Sequence, residues 1–457
     1  MRANHNNPLV KRTFALGICN GALWQFANAF LNPSTVVPAF IVTMPDVTAG
    51  QKMLWVGIIT ACMNSGWSWP QVFLGRYYST KQRLLPFYWI SAIGRALIIV
   101  LLTVVVAVAY DAKPVVVLAS IAGLFLLYGS CGAIGIIPFM TIVSDSMPAS
   151  HRGRFFGFRS MAGGVLGMVA GFIVSRILNE DTGLGYPDNY VALFGVAAVV
   201  FIASVICFSC VKEPAHEPQT RRLTMAQELA RGPRLFRRDR DWRTLVIAQV
   251  VGAIGFGVSV PFMTPFALEE LHAPTALVGI FLACQTGAAA LSNLIWSYVG
   301  DKRGNRKLLI WSGVAGVLPA LIALLSSLVP ATEIGTLFGV KFTYQLAVFT
   351  LAFIPLGFSM TGQMIGQLNF LLDIAPNRRR ATYLAFSHLF RFPLAWWPVA
   401  GALLIGRTSF VFGFAIAIIC SAVTLYLVTR LGEPRAQELG LEPPGPDNHD
   451  RPMAAGG

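Results

Sequence analysis

Ser297-Tyr-Val-Gly-Asp301-Lys302-Arg303-Gly304-Asn-Arg306-Lys307 is a short charged turn between two long apolar runs, 275–300 and 308–329. Each run exceeds the roughly 20 residues that an α-helix needs to cross a bilayer. A polar tip between two such runs marks a hairpin of membrane helices. The same alternation continues outward in both directions. Upstream lie apolar spans at 13–44, 51–75, 84–109, 114–145, 155–178, 189–211 and 244–269, and downstream at 340–373, 380–406 and 409–430. With the two around the turn, these make twelve. Composition agrees: 55% of residues are hydrophobic and only 12% charged, about half the charge that coats a soluble domain.

Residues 212–243 are polar and Arg-rich and divide the spans six and six. The expected organisation is a six-helix bundle over 1–211, a cytoplasmic linker over 212–243, a second bundle over 244–432 and a disordered cytoplasmic tail over 433–457. Leu229, Leu235, Phe236 and Trp242 among the linker arginines fit an amphipathic piece on the inner leaflet, or a plain solvated connection. Several spans exceed the minimum, and Pro33, Pro38, Pro70, Pro138, Pro261, Pro265, Pro355, Pro393 and Pro398 are expected bend points.

The net charge of +14 would suggest nucleic acid in a soluble chain, but its distribution excludes that partner. Of the 35 Lys and Arg, only Lys52, Lys113, Arg176, Lys341 and Arg407 fall on one side, with Arg95 and Arg391 inside spans. All the others share the opposite side. That asymmetry predicts an integral protein of the cell (inner) membrane with both termini cytoplasmic. The seven cysteines all lie in apolar spans, so no disulfide framework is expected, and the Cys207/Cys210 pair is read as structural. The first span, after Lys11 and Arg12, lacks a small-x-small cleavage site and reads as a retained helix.

The halves echo each other. Asp145-Ser-Met-Pro148-Ala-Ser-His-Arg152 follows the fourth span, and Asp373-Ile-Ala-Pro376-Asn-Arg-Arg-Arg380 follows the tenth. Both are D-x-x-P-x-x-x-R, with Phe155 and Tyr383 at matching offsets beyond. Shared topology explains arginines in both loops, but not an Asp, a Pro and an Arg at identical spacing.

The opening turn now gains a context. Placed after the eighth of twelve spans, it resembles the loop signature of the major facilitator superfamily: Asp301, Lys302, Gly304 and Arg306 match, while Ser297 stands where a Gly is usual. The resemblance covers residues 12 to 432. After the second span the signature is degraded, with Arg76 about where an acid is expected. The resemblance implies an all-α integral membrane fold of two pseudo-symmetric six-helix bundles. The first, fourth, seventh and tenth spans would line a central cavity that opens alternately to each side. It also implies a cytoplasmic gate built from Arg76, Asp145, Arg152, Asp301, Lys302, Gly304, Arg306, Asp373 and Arg380. The alternative role for these charges is topology and helix capping.

Candidate solute contacts follow from polarity inside spans. Asn20, Trp24, Asn28 and Asn32 recur every four residues, with Gln25 beside them, and Ser359, Gln363 and Gln367 repeat that spacing in the tenth span. Such stripes drift only about 40° per step. Amides avoid lipid, so both stripes are expected to face the bundle interior, toward a solute or toward another helix. Arg95 and Arg391 lie near the middle of their spans, with His388 close to the latter. No Asp or Glu lies deep in any span, so a substrate anion, carbonyls or aromatic rings must face these arginines. Gly163, Gly167 and Gly171 predict a close helix-packing seam.

The expected function is secondary active or facilitative transport of a small polar or anionic solute. The protein would be a monomer, with a proton as candidate coupling ion through His388, Asp145 or Glu269/Glu270. No metal or other cofactor is expected. The chain carries no G-x-x-x-x-G-K-[ST] loop and no catalytic constellation, so it is not read as an enzyme or an ATP-driven pump. A drug or lipophile exporter of the same fold, or a non-transporting assembly or sensor protein, are the alternatives.

Overall fold

The computed structural model describes residues 8–108, 112–214, 233–234, 236–337, 340–376, 383, 387 and 392–435. The first half comprises α1 (Pro8–Ala29), α2 (Val36–Thr43), α3 (Ala49–Ser79), α4 (Leu85–Ala107), α5 (Pro114–Ser146), α6 (Ala149–Ile177) and α7 (Asp188–Ser209). The second comprises α8 (Arg240–Ser259), α9 (Met263–Glu269), α10 (Leu277–Arg303), α11 (Asn305–Ser326), α12 (Tyr344–Leu351), α13 (Phe353–Ile374), α14 (Trp397–Arg407) and α15 (Phe410–Thr429). A hairpin of β1 (Glu333–Leu337) and β2 (Val340–Thr343), which hydropathy does not announce, joins α11 to α12.

Among the described residues, nine helices are long and apolar enough to cross a membrane. The other three expected spans have individual reasons for falling short. The first is broken into α1 and α2. The second, α3, is long but diluted by Asn64, Ser65 and Gln71. Of the eleventh, the helix described is α14. The chain is thus an all-α integral membrane fold of two pseudo-symmetric six-helix bundles, with spans one, seven and ten each made of two helices.

Proline places the breaks and supplies their bonding. Pro38 has no N–H to give the carbonyl four residues back, and Ser34 O instead accepts from Thr264 Oγ1 at 2.9 Å. Pro138 leaves Ile134 O free in the same way, and the Tyr78 hydroxyl donates to it at 3.0 Å. Around Pro261 the seventh span narrows to a 3-10 turn, Val260–Phe262, before α9 begins. Pro70 and Pro138 stay inside continuous helices.

Within the first half, α1 packs on α6 and α7, and α5 on α3 and α4. Within the second, α8 packs on α14 and α15, and α13 on α10 and α11. The halves meet along α6–α10 and α3–α14, so the second and fifth spans of one half face the fifth and second of the other. The glycine seam is one of these joints. A Cβ on Gly279 would lie 2.2 Å from Gly171 O, and one on Gly164 would lie 2.1 Å from Ala290 Cβ. Only residues without side chains let the two backbones approach so closely.

The apolar interior has a revealing division. At the face where the chain ends emerge (the terminal face), two separate clusters form: Tyr78, Met147, Phe155, Phe208 and Val211 in the first half, and Trp242, Phe370, Ala375, Tyr383 and Leu431 in the second. Toward the opposite, distal face one continuous cluster holds Phe30, Phe40 and Tyr190 together with Phe262, Phe281 and Phe349. The described halves are therefore fused distally and part toward the terminal face.

Candidate functional site

The central cavity lies where the halves part. It encloses ≈ 290 Å³ and is lined from α1 by Trp24, Gln25 and Asn28, with Asn32 just beyond that helix. Ser160, Gly163, Gly164 and Gly167 of α6 form a second wall. Thr286, Ala289, Ala290 and Asn293 of α10 form a third, and Thr361 and Met364 of α13 a fourth. The volume sits at the small end of ligand sites, which run about 300–1,000 Å³.

The distal end is closed by hydrogen bonds between the halves. Besides the Thr264–Ser34 contact, Thr275 Oγ1 donates to Leu178 O at 2.9 Å, and Ser34 Oγ lies 3.4 Å from Gln285 Oε1. Asn32 holds this corner by accepting Ser34 N and Ser34 Oγ on one side-chain oxygen, at 2.9 and 2.7 Å.

The amides of the cavity are oriented by their neighbours. Asn28 Oδ1 accepts from the Tyr128 hydroxyl at 2.6 Å, and Asn28 Nδ2 donates to Trp24 O at 2.6 Å. Trp24 O can only accept, which fixes the amide and leaves one Asn28 N–H for the cavity. Asn293 Nδ2 donates to Ala289 O at 3.0 Å, keeping a second N–H and its oxygen available.

Arg95 stands behind this wall. It is 7% exposed, and its guanidinium lies 4.2 Å from the Tyr128 ring centre, 5.0 Å from Phe201 and 5.6 Å from Trp24. Its Nε has no hydrogen-bond partner. The cation faces three aromatic rings, an attraction that grows when water is excluded. Tyr128 touches both Arg95 and Asn28, which links the buried charge to the cavity wall.

Asn20 points elsewhere. Its Nδ2 reaches Ser204 O and Ser204 Oγ, each at 2.9 Å, and Tyr88 Oη at 3.2 Å, while its Oδ1 accepts from Arg159 Nη1 at 2.9 Å. Arg159 is a residue that hydropathy does not single out. It lies ten residues into α6, donates also to Gly17 O at 2.8 Å and packs 4.5 Å from the Phe139 ring centre. Room for it comes from Gly21, where a Cβ would fall 2.2 Å from Arg159 Cγ. The glycine at 21 on α1 is the signal that marks its pocket, while Gly17 makes room for Phe155.

The α13 stripe turns toward α11. Gln363 Nε2 donates to Ser312 Oγ at 3.1 Å, Gln367 Nε2 to Gln363 Oε1 at 3.0 Å, and Ser359 packs against Gly316. Thr361 and Met364 face the cavity instead. His388, Arg391 and Arg380 lie outside the described residues, as does the side chain of Arg76.

At the terminal face the motif residues cap helices. Arg152 Nη2 and Nε donate to Ser144 O and Met147 O at 2.5 and 3.2 Å, closing the end of α5. Asp145 accepts from Ser144 Oγ at 3.3 Å. Asp373 accepts from Asn305 Nδ2 at 2.6 Å, tying α13 to the start of α11. Gly304 has φ +87°, and a side chain there would meet Glu433, whose Oε2 accepts Arg306 N at 3.1 Å. Asp301 and Lys302 are exposed on the last turn of α10. The first half has the same device: Glu213 accepts from the Leu84 and Leu85 N–H groups at the start of α4. Lys212-Glu213-Pro214 and Gly432-Glu433-Pro434 are therefore a further echo of the repeat.

The family profile described as Major Facilitator Superfamily matches residues 13–392 and 245–449. The chain belongs to the major facilitator superfamily. Its members are transporters rather than enzymes, and no subfamily is distinguished. Solved structures share the superfamily fold at low identity. A mutant of the nucleoside transporter NupG is 14% identical, with a TM-score of 0.65 over 92% of this chain and 99% of that one. A D-xylose-proton symporter is 14% identical, at 0.66 over 93% and 99%. A bacterial homolog to the human lysosomal transporter Spinster, in an inward-facing and unoccupied conformation, is 13% identical, at 0.59 over 93% and 98%. No curated protein matches the sequence.

Proposed function

We propose that the protein moves a small polar or anionic solute across the membrane by alternating access, as a secondary active or facilitative carrier. The observation that supports this best is the cavity between the halves, sealed distally and lined by amides from both. The bundles over 1–211 and 244–432 would be the rocking units, with 212–243 as their connection. With both termini in the cytoplasm of a cell-membrane protein, the terminal face is the inner one and the arrangement is inward-facing.

Asn28 and Asn293 would contact the solute directly, one from each half. Arg95 would act through Tyr128, adding a positive field that favours electron-rich solutes and anions. Asn20, Gln363 and Gln367 would hold helices rather than solute, and Arg152, Asp373, Gly304 and Arg306 would shape the terminal-face gate. His388 and Arg391 stay candidates on their sequence position. A proton is the coupling ion of choice if transport is active, and the carrier would work as a monomer.

A thermal-shift screen of metabolites on detergent-solubilised protein tests the site. A stabilising solute is expected to lose its effect in Met364→Trp, which fills the cavity, while that variant's own melting temperature holds. Undiminished stabilisation in Met364→Trp would place the solute elsewhere.

A further inference from the structure

At the terminal face of the second half, Arg238, Arg240, Arg306 and Arg430 line an open cleft of ≈ 810 Å³. Asp239 and Asp241 share it, and each already accepts from protein donors. Asp239 Oδ1 caps α8 by accepting Trp242 N at 2.9 Å, and Oδ2 accepts the Tyr383 hydroxyl at 2.7 Å. Asp241 Oδ1 accepts Gly432 N at 3.3 Å. Arg306 gives one Nη2 bond to Thr429 O at 2.8 Å, while its Nε is buried without an acceptor. Four guanidinium cations face two carboxylates, so the lining carries an excess of positive charge.

Arginines near a membrane surface commonly do no more than set topology. The first half shows what topology alone requires at the same corner. There Glu213 caps α4 just as Glu433 caps α11, yet Cys210 stands three residues before the glutamate where the second half has Arg430. The start of α4 is Leu85-Pro86, where α11 begins Asn305-Arg306. Arg306 and Arg430 are thus additions to a shared frame, whereas the first helix of each half begins with basic residues, Lys11 and Arg12 in α1 and Arg240 in α8.

The setting of the cleft points to an occupant. Ile419, Val423 and Tyr426, at helical spacing on α15, are 62%, 41% and 55% exposed and form an apolar stripe leading to the cleft. Tyr426 ends that stripe with its hydroxyl accepting from Arg430 Nη2 at 2.6 Å, as an aromatic residue does at headgroup depth. Guanidinium forks match phosphate oxygens in pairs.

We propose that this cleft binds a phosphate-bearing anion, supplied by the headgroup of an anionic phospholipid whose acyl chain lies along α15. Bound there, the phosphate ties the ends of α8, α11 and α15 together and fastens the linker's exit to the second half. The site is separate from the central cavity, so its ligand is not cargo.

The test is thermal stability of the full-length protein titrated with a short-chain phosphatidylglycerol, the matching phosphatidylcholine, and inorganic phosphate. Phosphatidylglycerol is expected to raise the melting temperature saturably and phosphatidylcholine not to. Removing two guanidinium groups in Arg238→Gln/Arg240→Gln is expected to weaken the response roughly thirty-fold. Arg430→Gln should weaken it as well, and Lys81→Gln/Arg83→Gln, with the same charge loss in the first half, should leave it intact. A response to inorganic phosphate lost in the same variants supports the site with the free anion as its ligand. Equal responses to the two lipids, or equal losses in the two double variants, would overturn the proposal.

Discussion

Tyr128 occupies the position through which a buried cation reaches the cavity, since its ring lies over Arg95 and its hydroxyl holds Asn28. Tyr128→Phe keeps the ring and removes the bond. Solute affinity is expected to fall about fivefold, the worth of one hydrogen bond near 1 kcal/mol, with melting behaviour little changed. Isothermal titration with the solute found by screening measures it, and unchanged affinity would remove Asn28 from the site. Glu433 makes a second residue-scale prediction. Burial raises its carboxyl above the ordinary glutamate range, the Arg306 and Arg435 backbone bonds pull it back, and nearby Asp373 pushes it up again. A raised folded-state pKa means the folded protein holds this proton more tightly than the unfolded chain. The resulting stability is present at low pH and lost as pH rises through the folded value. Glu433→Gln is neutral throughout, so its melting temperature relative to wild type should climb as pH increases from the ordinary glutamate value upward; a falling difference would contradict the assignment. Asn28 was visible in the sequence because an amide inside an apolar span must face protein. The burial of Arg159 was hidden, because an arginine shortly after a loop resembles a topology charge until Gly21 of another helix is seen to make room for it.

Helix boundaries follow the hydropathy pattern closely: the span expected at 114–145 is Pro114–Ser146, and that at 409–430 is Phe410–Thr429. Length and apolarity are local properties, which is why they can be read from one chain. Facing is not local. The Ser359, Gln363 and Gln367 stripe shows that α13 has a polar side, but whether that side meets α11 or the cavity depends on how the helix is rotated against its neighbours. The α6 glycines were legible as a seam without revealing their partner, which proves to be α10 across the interface. That joint gives the element-scale prediction. A Cβ at Gly279 must displace backbone of Gly171 and Ser175, whereas one at Gly195 on α7 meets nothing within 4 Å. Gly279→Ala should cost about 1–3 kcal/mol of stability and Gly195→Ala less than about 0.5. Thermal melts of the two purified variants compare them, and equal stabilities would show that α6 and α10 are not so closely joined.

Over the whole molecule, the separation of the terminal-face clusters and the fusion of the distal one are what the proposed alternating-access carrier would show in one of its two states. On that proposal, closing the terminal side would require the distal contacts at Ser34, Thr264, Thr275 and Leu178 to open, with the α6–α10 and α3–α14 seams as the pivot. The duplicated D-x-x-P-x-x-x-R loops made the twofold arrangement readable in advance; the state did not follow from sequence, because it depends on contacts between halves. Counterflow in proteoliposomes tests the carrier account most directly. Vesicles loaded with unlabelled solute, chosen because it stabilises the purified protein, should transiently accumulate the labelled solute above its external concentration, and Met364→Trp should abolish this. Absence of exchange for every solute that stabilises the protein would contradict transport and leave a membrane scaffold or sensor of the same fold.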